Sequence, residues 1–70
     1  MKDPLMFIKL ETTNSDNYGP IFVYINIDTI SSMCKYKNST NIFLIDGTHY
    51  VVKESITDIG KQINELYEKI

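Results

Sequence analysis

The most informative part of the chain is residues 40–55, which read Thr-Asn-Ile-Phe-Leu-Ile-Asp-Gly-Thr-His-Tyr-Val-Val-Lys-Glu-Ser. Two apolar runs flank Asp46 and Gly47, and an Asp-Gly pair in this position predicts a β-hairpin because glycine accepts the positive φ of a tight turn. The second run leads into Ser55, a residue type that caps helix N-termini, with Asp58 three residues later. The stretch therefore predicts a hairpin followed directly by a helix. It specifies architecture rather than chemistry.

Two registers of this hairpin are consistent with the sequence. A two-residue turn pairs Ile45 with Thr48, whereas a three-residue turn with a glycine bulge pairs Leu44 with Thr48. In the first register, one face holds Phe43, Ile45, Tyr50 and Val52. In the second, it holds Ile42, Leu44, Tyr50 and Val52, with Phe43, His49 and Val51 on the other side. The bulged form is favoured because it gathers the core on one face and leaves His49 outside it.

Three further strands are predicted before the hairpin. Residues 6–12 alternate in the manner of a half-buried strand. Residues 21–27 are apolar at nearly every position, so both faces of that strand need a cover. Residues 30–36 form a weaker strand, and residues 40–45 and 48–53 supply the hairpin itself. On the first strand the side chains expected to face the core are Met6, Ile8 and Leu10.

The connections and the last element follow from turn chemistry and helical spacing. The segment Thr13–Pro20 is dense in turn-forming residues and predicts the longest loop of the chain. Asn26–Thr29 predicts a tight corner, because Asn and Asp side chains bond the backbone two residues on. Apolar residues then recur at helical spacing and predict an amphipathic helix over residues 56–69. Its stripe consists of Ile56, Ile59, Ile63, Leu66, Tyr67 and Ile70.

These elements predict one domain over residues 1–70, mainly β with one C-terminal helix, in the order β-β-β-β-β-α. Five short antiparallel strands of this kind form a small, strongly bent sheet or a partly open barrel, with an Sm-like or SH3-like architecture. The helix is expected to close one end or one face.

The amino-acid composition argues against several classes of function. The chain has 70 residues, one cysteine, one histidine, no arginine and a formal net charge of −2. A lone cysteine excludes an internal disulfide, and one cysteine with one histidine argues against a structural zinc site. The absence of arginine argues against sequence-specific nucleic-acid binding. No apolar stretch reaches the length of a membrane span, and no signal peptide is evident, so we expect a cytoplasmic protein without a cofactor.

Few residues are candidates for chemistry. His49 has no titratable partner at a fixed spacing and is expected in solvent or at an interface. Cys34 is expected to be a small core residue, since a nucleophile needs an activating base nearby. Asp46 and Glu54 could pair as acid and base, but the turn and the helix entrance account for both. No phosphate loop, metal spacing or nucleophile motif is present, so we expect no enzyme.

One basic and aromatic cluster stands out at Lys35, Tyr36 and Lys37. Such a cluster could hold a phosphate and stack a base, as single-strand binders do. A solvated strand end explains the same residues. The cluster therefore predicts at most weak, salt-sensitive contact with nucleic acid.

Two stretches match a known family: Asn26-Ile27-Asp28-Thr29-Ile30 and the pattern from Thr40 to Ser55, which ends in Tyr-Val-Val-Lys-Glu-Ser. In these stretches the sequence resembles the FlbD-like proteins of bacterial flagellar and swarming motility, and related short proteins occur in phages. The resemblance covers about residues 6–66. It departs at Thr12–Phe22, where the family usually has a short Asn-Gly turn. The resemblance implies a bacterial or phage protein with no catalytic residues.

Both faces of at least two strands carry large apolar side chains, whereas one helix can cover only one face. Because the chain has no disulfide to stabilise it, we expect a homo-oligomer in which such surfaces are paired. The residues expected at or near the contact are Phe22, Tyr24, Phe43 and His49. The expected function is a non-enzymatic interaction or adaptor module with a protein partner. The alternative is an Sm-like ring that binds RNA.

Overall fold

The computed structural model describes residues 6–69 as one five-stranded sheet and one helix. In chain order the elements are β1 (Phe7–Asp16), β2 (Gly19–Asn26), a 3-10 turn (Ile27–Thr29), β3 (Ile30–Tyr36), β4 (Ser39–Leu44), β5 (His49–Val52) and α1 (Ile56–Glu68). All pairings are antiparallel and the spatial order is β2-β1-β5-β4-β3. The sheet is open, with β2 and β3 at its edges. The predicted mainly-β fold with a C-terminal helix is confirmed.

The first hairpin differs from the prediction of a long loop at Thr13–Pro20. Strand β1 continues to Asp16 and β2 begins at Gly19, so the turn between them has only two residues. The side chain of Asp16 accepts the backbone N–H of Tyr18 at 2.8 Å, which closes the turn. The polar residues that suggested a loop instead form an exposed strand pair that extends beyond the core.

An irregularity in β1 joins this hairpin to the rest of the sheet. The β1–β2 register shifts between Glu11 and Ser15, where three β1 residues face the single residue Ile21. At this bulge Thr12 pairs with Val52 of β5, and its hydroxyl donates to the carbonyl of Ile21 at 3.0 Å. Bulges bend a strand. At Thr12, strand β1 therefore connects its pairing with β2 to its pairing with β5.

The central hairpin has the bulged register. Phe43 pairs with His49, and the N–H of Leu44 donates to the carbonyl of Thr48 at 2.9 Å. The turn is therefore the three-residue loop Ile45-Asp46-Gly47. Gly47 has a φ of +94°, a conformation that side-chain-bearing residues rarely adopt. The favoured alternative is confirmed: Ile42 and Val52 are fully buried, while Phe43 and His49 are exposed on the other face.

The core lies between the inner face of the sheet and α1. Strand alternation places Ile8 and Leu10 of β1 in it, as predicted. The buried side chains are Ile8, Leu10, Ile25, Ile27, Ile42, Val52 and Ile59. Partly buried residues extend this cluster, among them Met6, Val23, Met33 and Tyr50. All seven buried apolar residues are aliphatic, so every aromatic ring of the described chain lies at or near the surface.

Helix α1 begins where predicted. The Ser55 hydroxyl accepts the N–H of Asp58 at 3.1 Å, which caps the first turn. Ile59 is completely buried, and Ile63 and Leu66 pack against the core from its margin. Two other residues of the expected stripe, Ile56 and Tyr67, are exposed, because they lie at the edges of the helical face that meets the sheet. Ile70 lies outside the described residues.

The corner between β2 and β3 forms as predicted. The Asn26 side chain accepts the N–H of Asp28 at 2.9 Å, and the Thr29 hydroxyl donates to the Asn26 carbonyl at 2.7 Å. These bonds fold Ile27–Thr29 into one 3-10 turn and bury Ile27. The corner reverses the chain without a long connection.

Candidate interaction surface

The face of the sheet opposite the core, here called the outer face, carries the exposed aromatic residues of the strands. Phe7, Tyr24 and Phe43 each neighbour a buried residue in the chain, because successive side chains of a strand point to opposite faces. Tyr24 is 64% exposed and Phe22 45%, on either side of the half-buried Val23. Phe7 and Phe43 are exposed in the same way on β1 and β4. The described part of the chain gives this face no covering element.

One part of the outer face, the arm patch, consists of Phe7, Lys9, Phe22 and Tyr24 on β1 and β2. Lys9 pairs with Tyr24 in the register, and its ammonium lies 4.5 Å from the centre of the Phe22 ring. A lysine over an aromatic face is attracted by the negative charge density of the ring. The patch thus combines an apolar surface with one fixed positive charge.

A second part, the hairpin patch, consists of Phe43 and His49. The two residues are a cross-strand pair on β4 and β5, and their ring centres lie 5.6 Å apart with the planes inclined by 28°. The bulged turn creates this contact, because the other register would place the two rings on opposite faces. His49 contacts an aromatic ring on an exposed surface.

The four residues predicted at an interface therefore lie in two patches. Between them runs an ion pair: the Lys53 ammonium lies 3.0 Å from the Glu11 carboxylate, and Glu11 is the register partner of Phe22. His49 precedes Lys53 by four residues, roughly 13 Å along an extended strand. The outer face consequently has two aromatic patches separated by a charged strip.

Glu54 joins the N-terminal and C-terminal halves of the sheet. Its carboxylate accepts the backbone N–H of Glu11 at 3.0 and 3.1 Å, and its carbonyl accepts the Thr40 hydroxyl at 2.8 Å. The N–H of Lys53 donates to the Glu11 carbonyl at 2.8 Å. No pattern in the sequence predicts this role. The only available signal was an acidic residue between a strand end and a helix cap.

Asp46 is also used within the fold. Its carboxylate accepts the hydroxyl of Thr48 at 2.6 Å and the N–H of the same residue at 3.0 Å. These hydrogen bonds, the one from the hydroxyl foremost, hold the pKa of Asp46 below its ordinary value. Asp46 therefore stabilises the turn as an anion.

The basic and aromatic cluster does not form one surface. Tyr36 and Lys37 lie together at the turn between β3 and β4, where the Lys37 ammonium is 5.5 Å from the Tyr36 ring centre. Lys37 has a φ of +55°, which the two-residue turn requires. Lys35 points to the opposite face of β3 and lines a half-open groove of about 390 Å³ beside the helix start at Ser55. The predicted nucleic-acid contact is therefore divided between two faces.

Cys34 is exposed on β3, so its expected place in the core is wrong. It pairs with Asn41 of β4, on the face opposite that of the buried Ile42. Within residues 6–69, no three His, Cys, Asp or Glu side chains are grouped closely enough to hold a metal ion. No helix in the same range has the length and apolar character needed to cross a membrane.

The fold defines a small open β-sheet domain with one capped C-terminal helix and an aromatic outer face. The chain belongs to the FlbD family, described as flagellar and swarming motility proteins, whose sequence model matches residues 8–70. The resemblance drawn from Asn26–Ile30 and from residues 40–55 is thereby confirmed. Comparisons with curated proteins and with solved structures gave no match.

Proposed function

We propose that this FlbD-family chain is a non-catalytic, cytoplasmic interaction module of bacterial motility. In this proposal the chain self-associates where Phe22 and Tyr24 lie at the margin of its outer face, and the assembly presents the rest of that face as a repeated surface to a protein partner. The proposal rests above all on the exposed aromatic residues of the outer face, on the side of the sheet that α1 leaves uncovered.

The stability of so short a chain supports self-association. A chain of about this size buries only about 60% of the surface that its unfolded form exposes, and such domains commonly depend on disulfides, metals or oligomerisation. The single cysteine of this chain cannot form an internal disulfide. Bringing the arm patches of two copies together would bury part of Phe22 and Tyr24, and burial of apolar surface is the main driving force for association.

The absence of a catalytic role is supported by how the candidate side chains are used. Asp46 closes a turn, and Glu54 holds the backbone of Glu11. A catalytic base needs a free electron pair directed at a substrate. Both carboxylates instead bond to groups of their own chain.

The proposal is tested by measuring the molar mass with light scattering at micromolar concentration. The expected mass is two or more times the 8.1 kDa chain mass. The variant Tyr24→Ser is expected to shift the mass towards the monomer. Tyr67→Ser is the matched control, because Tyr67 is similarly exposed but lies on the helix, away from the outer face.

A mass of 8.1 kDa from folded wild-type protein would overturn the proposal. Equal effects of the Tyr24 and Tyr67 variants would place the contact elsewhere than on the outer face. Circular dichroism of each variant shows whether the domain is still folded.

A further inference from the structure

The outer edge of β2 has backbone groups that no described element pairs with. The N–H of Ile27 donates to the carbonyl of Met6, which identifies the hydrogen-bonded pairs of the β1–β2 ladder. In an antiparallel ladder these alternate with pairs whose N–H and C=O groups point away. By this alternation the backbone groups of Phe22, Tyr24 and Asn26 point to the open edge of the sheet.

The ends of this edge differ from its centre. Pro20 is also directed outwards and offers only a carbonyl, since proline has no N–H. Asn26 offers only an N–H, because its carbonyl already accepts the Thr29 hydroxyl at 2.7 Å. The free edge therefore offers a carbonyl at Pro20, both an N–H and a carbonyl at Phe22 and Tyr24, and an N–H at Asn26.

This order is self-complementary, and we propose that two copies of the chain pair through their β2 edges in antiparallel orientation, with the two-fold axis at Val23. Phe22 then faces the partner's Tyr24, and Pro20 faces the partner's Asn26. The inference deepens the proposed self-association by assigning it to one strand edge and one register. The result is a continuous ten-stranded sheet with a closed two-fold contact.

In this register every free group of the edge finds a partner. Phe22 and the partner's Tyr24 exchange two hydrogen bonds, and the symmetry repeats them. The N–H of Asn26 donates to the carbonyl of the partner's Pro20. The second hydrogen bond of this pair would need an N–H on Pro20, which proline lacks. The carbonyl of the partner's Asn26 that would accept it is already bonded to the Thr29 hydroxyl of its own chain. No backbone group of the edge is therefore left unsatisfied.

The side chains fit the same register. On the outer face, Phe22 lies beside the partner's Tyr24, and cross-strand aromatic pairs are favourable. On the inner face, Ile21, which is 36% exposed, lies beside the partner's Ile25. The ammonium of Lys9 lies over the Phe22 ring of its own chain, beside the contact between the two chains. It therefore does not face the partner's Lys9 across the two-fold axis.

Strand β3, the other edge, is less suited to pairing. Its register with β4 shifts between Ile30 and Ser32, and a bulge twists an edge away from a neighbour. It also carries Lys35, and a charged side chain is a common protection of edge strands. Strand β2 has no charged residue between Gly19 and Asn26. Its one protection, Pro20, lies at the end of the strand.

The experiment is disulfide trapping with the variant Val23→Cys in a Cys34→Ser background, oxidised with diamide. Residues facing each other in a pair without hydrogen bonds have Cα atoms about 4.5 Å apart, within disulfide range. We expect the main product to be a covalent dimer of twice the 8.1 kDa chain mass. Ile21→Cys in the same background is the control, because its two copies would be displaced by four residues, roughly 13 Å.

Several results would overturn the β2-edge register. One is a Val23→Cys protein that light scattering shows to be an oligomer but that forms no more covalent dimer than Ile21→Cys. This result would leave the proposed self-association intact and contradict the proposed register. Efficient trapping of the wild-type chain through Cys34 would place the contact on β3. A synthetic chain N-methylated at Tyr24 gives an independent test, because that N–H points away from β1 and has no partner among residues 6–69. Folded N-methylated protein should have the mass of the monomer, and an unchanged oligomer would contradict the proposal.

Discussion

Both carboxylate oxygens of Glu54 lie within hydrogen-bond distance of the backbone nitrogen of Glu11, at 3.1 and 3.0 Å. The two residues are 43 positions apart in the chain. The contact continues the β1–β5 pairing beyond Val52, at a point where the backbone of β5 turns towards the helix. A side chain thus replaces the carbonyl that a longer strand would have supplied.

Removing this side chain should destabilise the fold. We expect Glu54→Ala to lower the free energy of unfolding by about 1–3 kcal/mol, since it leaves a partly buried N–H without an acceptor. Glu54→Gln keeps one acceptor oxygen and should cost less. Urea denaturation measures both, with Glu65→Ala on the exposed side of α1 as the control. A Glu54→Ala protein as stable as the control would show that the contact contributes nothing to folding.

The turn at Asp46 should make stability depend on acid pH. The pKa of Asp46 in the folded chain lies below its ordinary value of 3.8, so the unfolded chain takes up the proton first as the pH falls. The stabilisation is therefore complete above pH 3.8 and is lost as the pH falls through the lowered folded pKa. Thermal unfolding of wild type and Asp46→Asn should differ more at pH 5 than at pH 2.5.

Asp28→Asn is the control for this comparison, because it removes the same charge from another exposed carboxylate. A wild-type advantage over Asp46→Asn that stays constant across the acid range would contradict the expected linkage. It would mean that the hydrogen bonds from Thr48 do not favour the charged form of Asp46.

The effect of truncating the helix stripe should decrease from Ile59 towards the C-terminus. Ile59 is completely buried, so Ile59→Val should cost about 0.5–1.5 kcal/mol and Ile59→Ala about 2–5 kcal/mol. Ile63→Ala should cost less, because this side chain is only partly buried. Tyr67 is 55% exposed, and Tyr67→Ala should stay near the ±0.5 kcal/mol typical of surface positions. Equal losses at Ile59 and Tyr67 would contradict the packing of α1.

Short RNA should bind weakly. Lys35 and Tyr36 lie on opposite faces of β3, so the cluster cannot grip a phosphate and stack a base on one surface. We expect no submicromolar binding of oligo-U or oligo-A in fluorescence anisotropy at about 150 mM salt, where surface charges are strongly screened. Submicromolar binding that Tyr36→Ala abolishes would instead favour the ring-like RNA binder.

The sequence was most informative where local chemistry and hydrophobic pattern agreed. Asp46-Gly47 specified the hairpin, and the choice of its register followed from keeping His49 out of the core. Ser55 specified the helix start because the capping residue and the first residue of the apolar stripe, Ile56, are adjacent. These features depend on neighbours within a few residues.

It was least informative where distant parts of the chain meet. The polar residues of Thr13–Pro20 are common in turns, yet most of them form strands, because the β1–β2 ladder continues past the core into solvent. Cys34 lies on strand β3 as predicted, but its side chain is on the outer side of the sheet, which faces water rather than a core. The separation of Phe22 from His49 by the Glu11–Lys53 pair depends on the β1–β5 register, which no local pattern encodes.

The pairing of β1 with β5 also sets an order of assembly. The three hairpins each join neighbouring segments and can form as soon as their own residues are available, whereas Thr12 must wait for Val52, 40 residues later. Closing so long a loop is slow compared with forming a hairpin. During synthesis on the ribosome, the arm made of β1 and β2 therefore emerges with Ile8 and Leu10 uncovered. It stays an unfinished half-domain until Glu54 and the helix have left the exit tunnel.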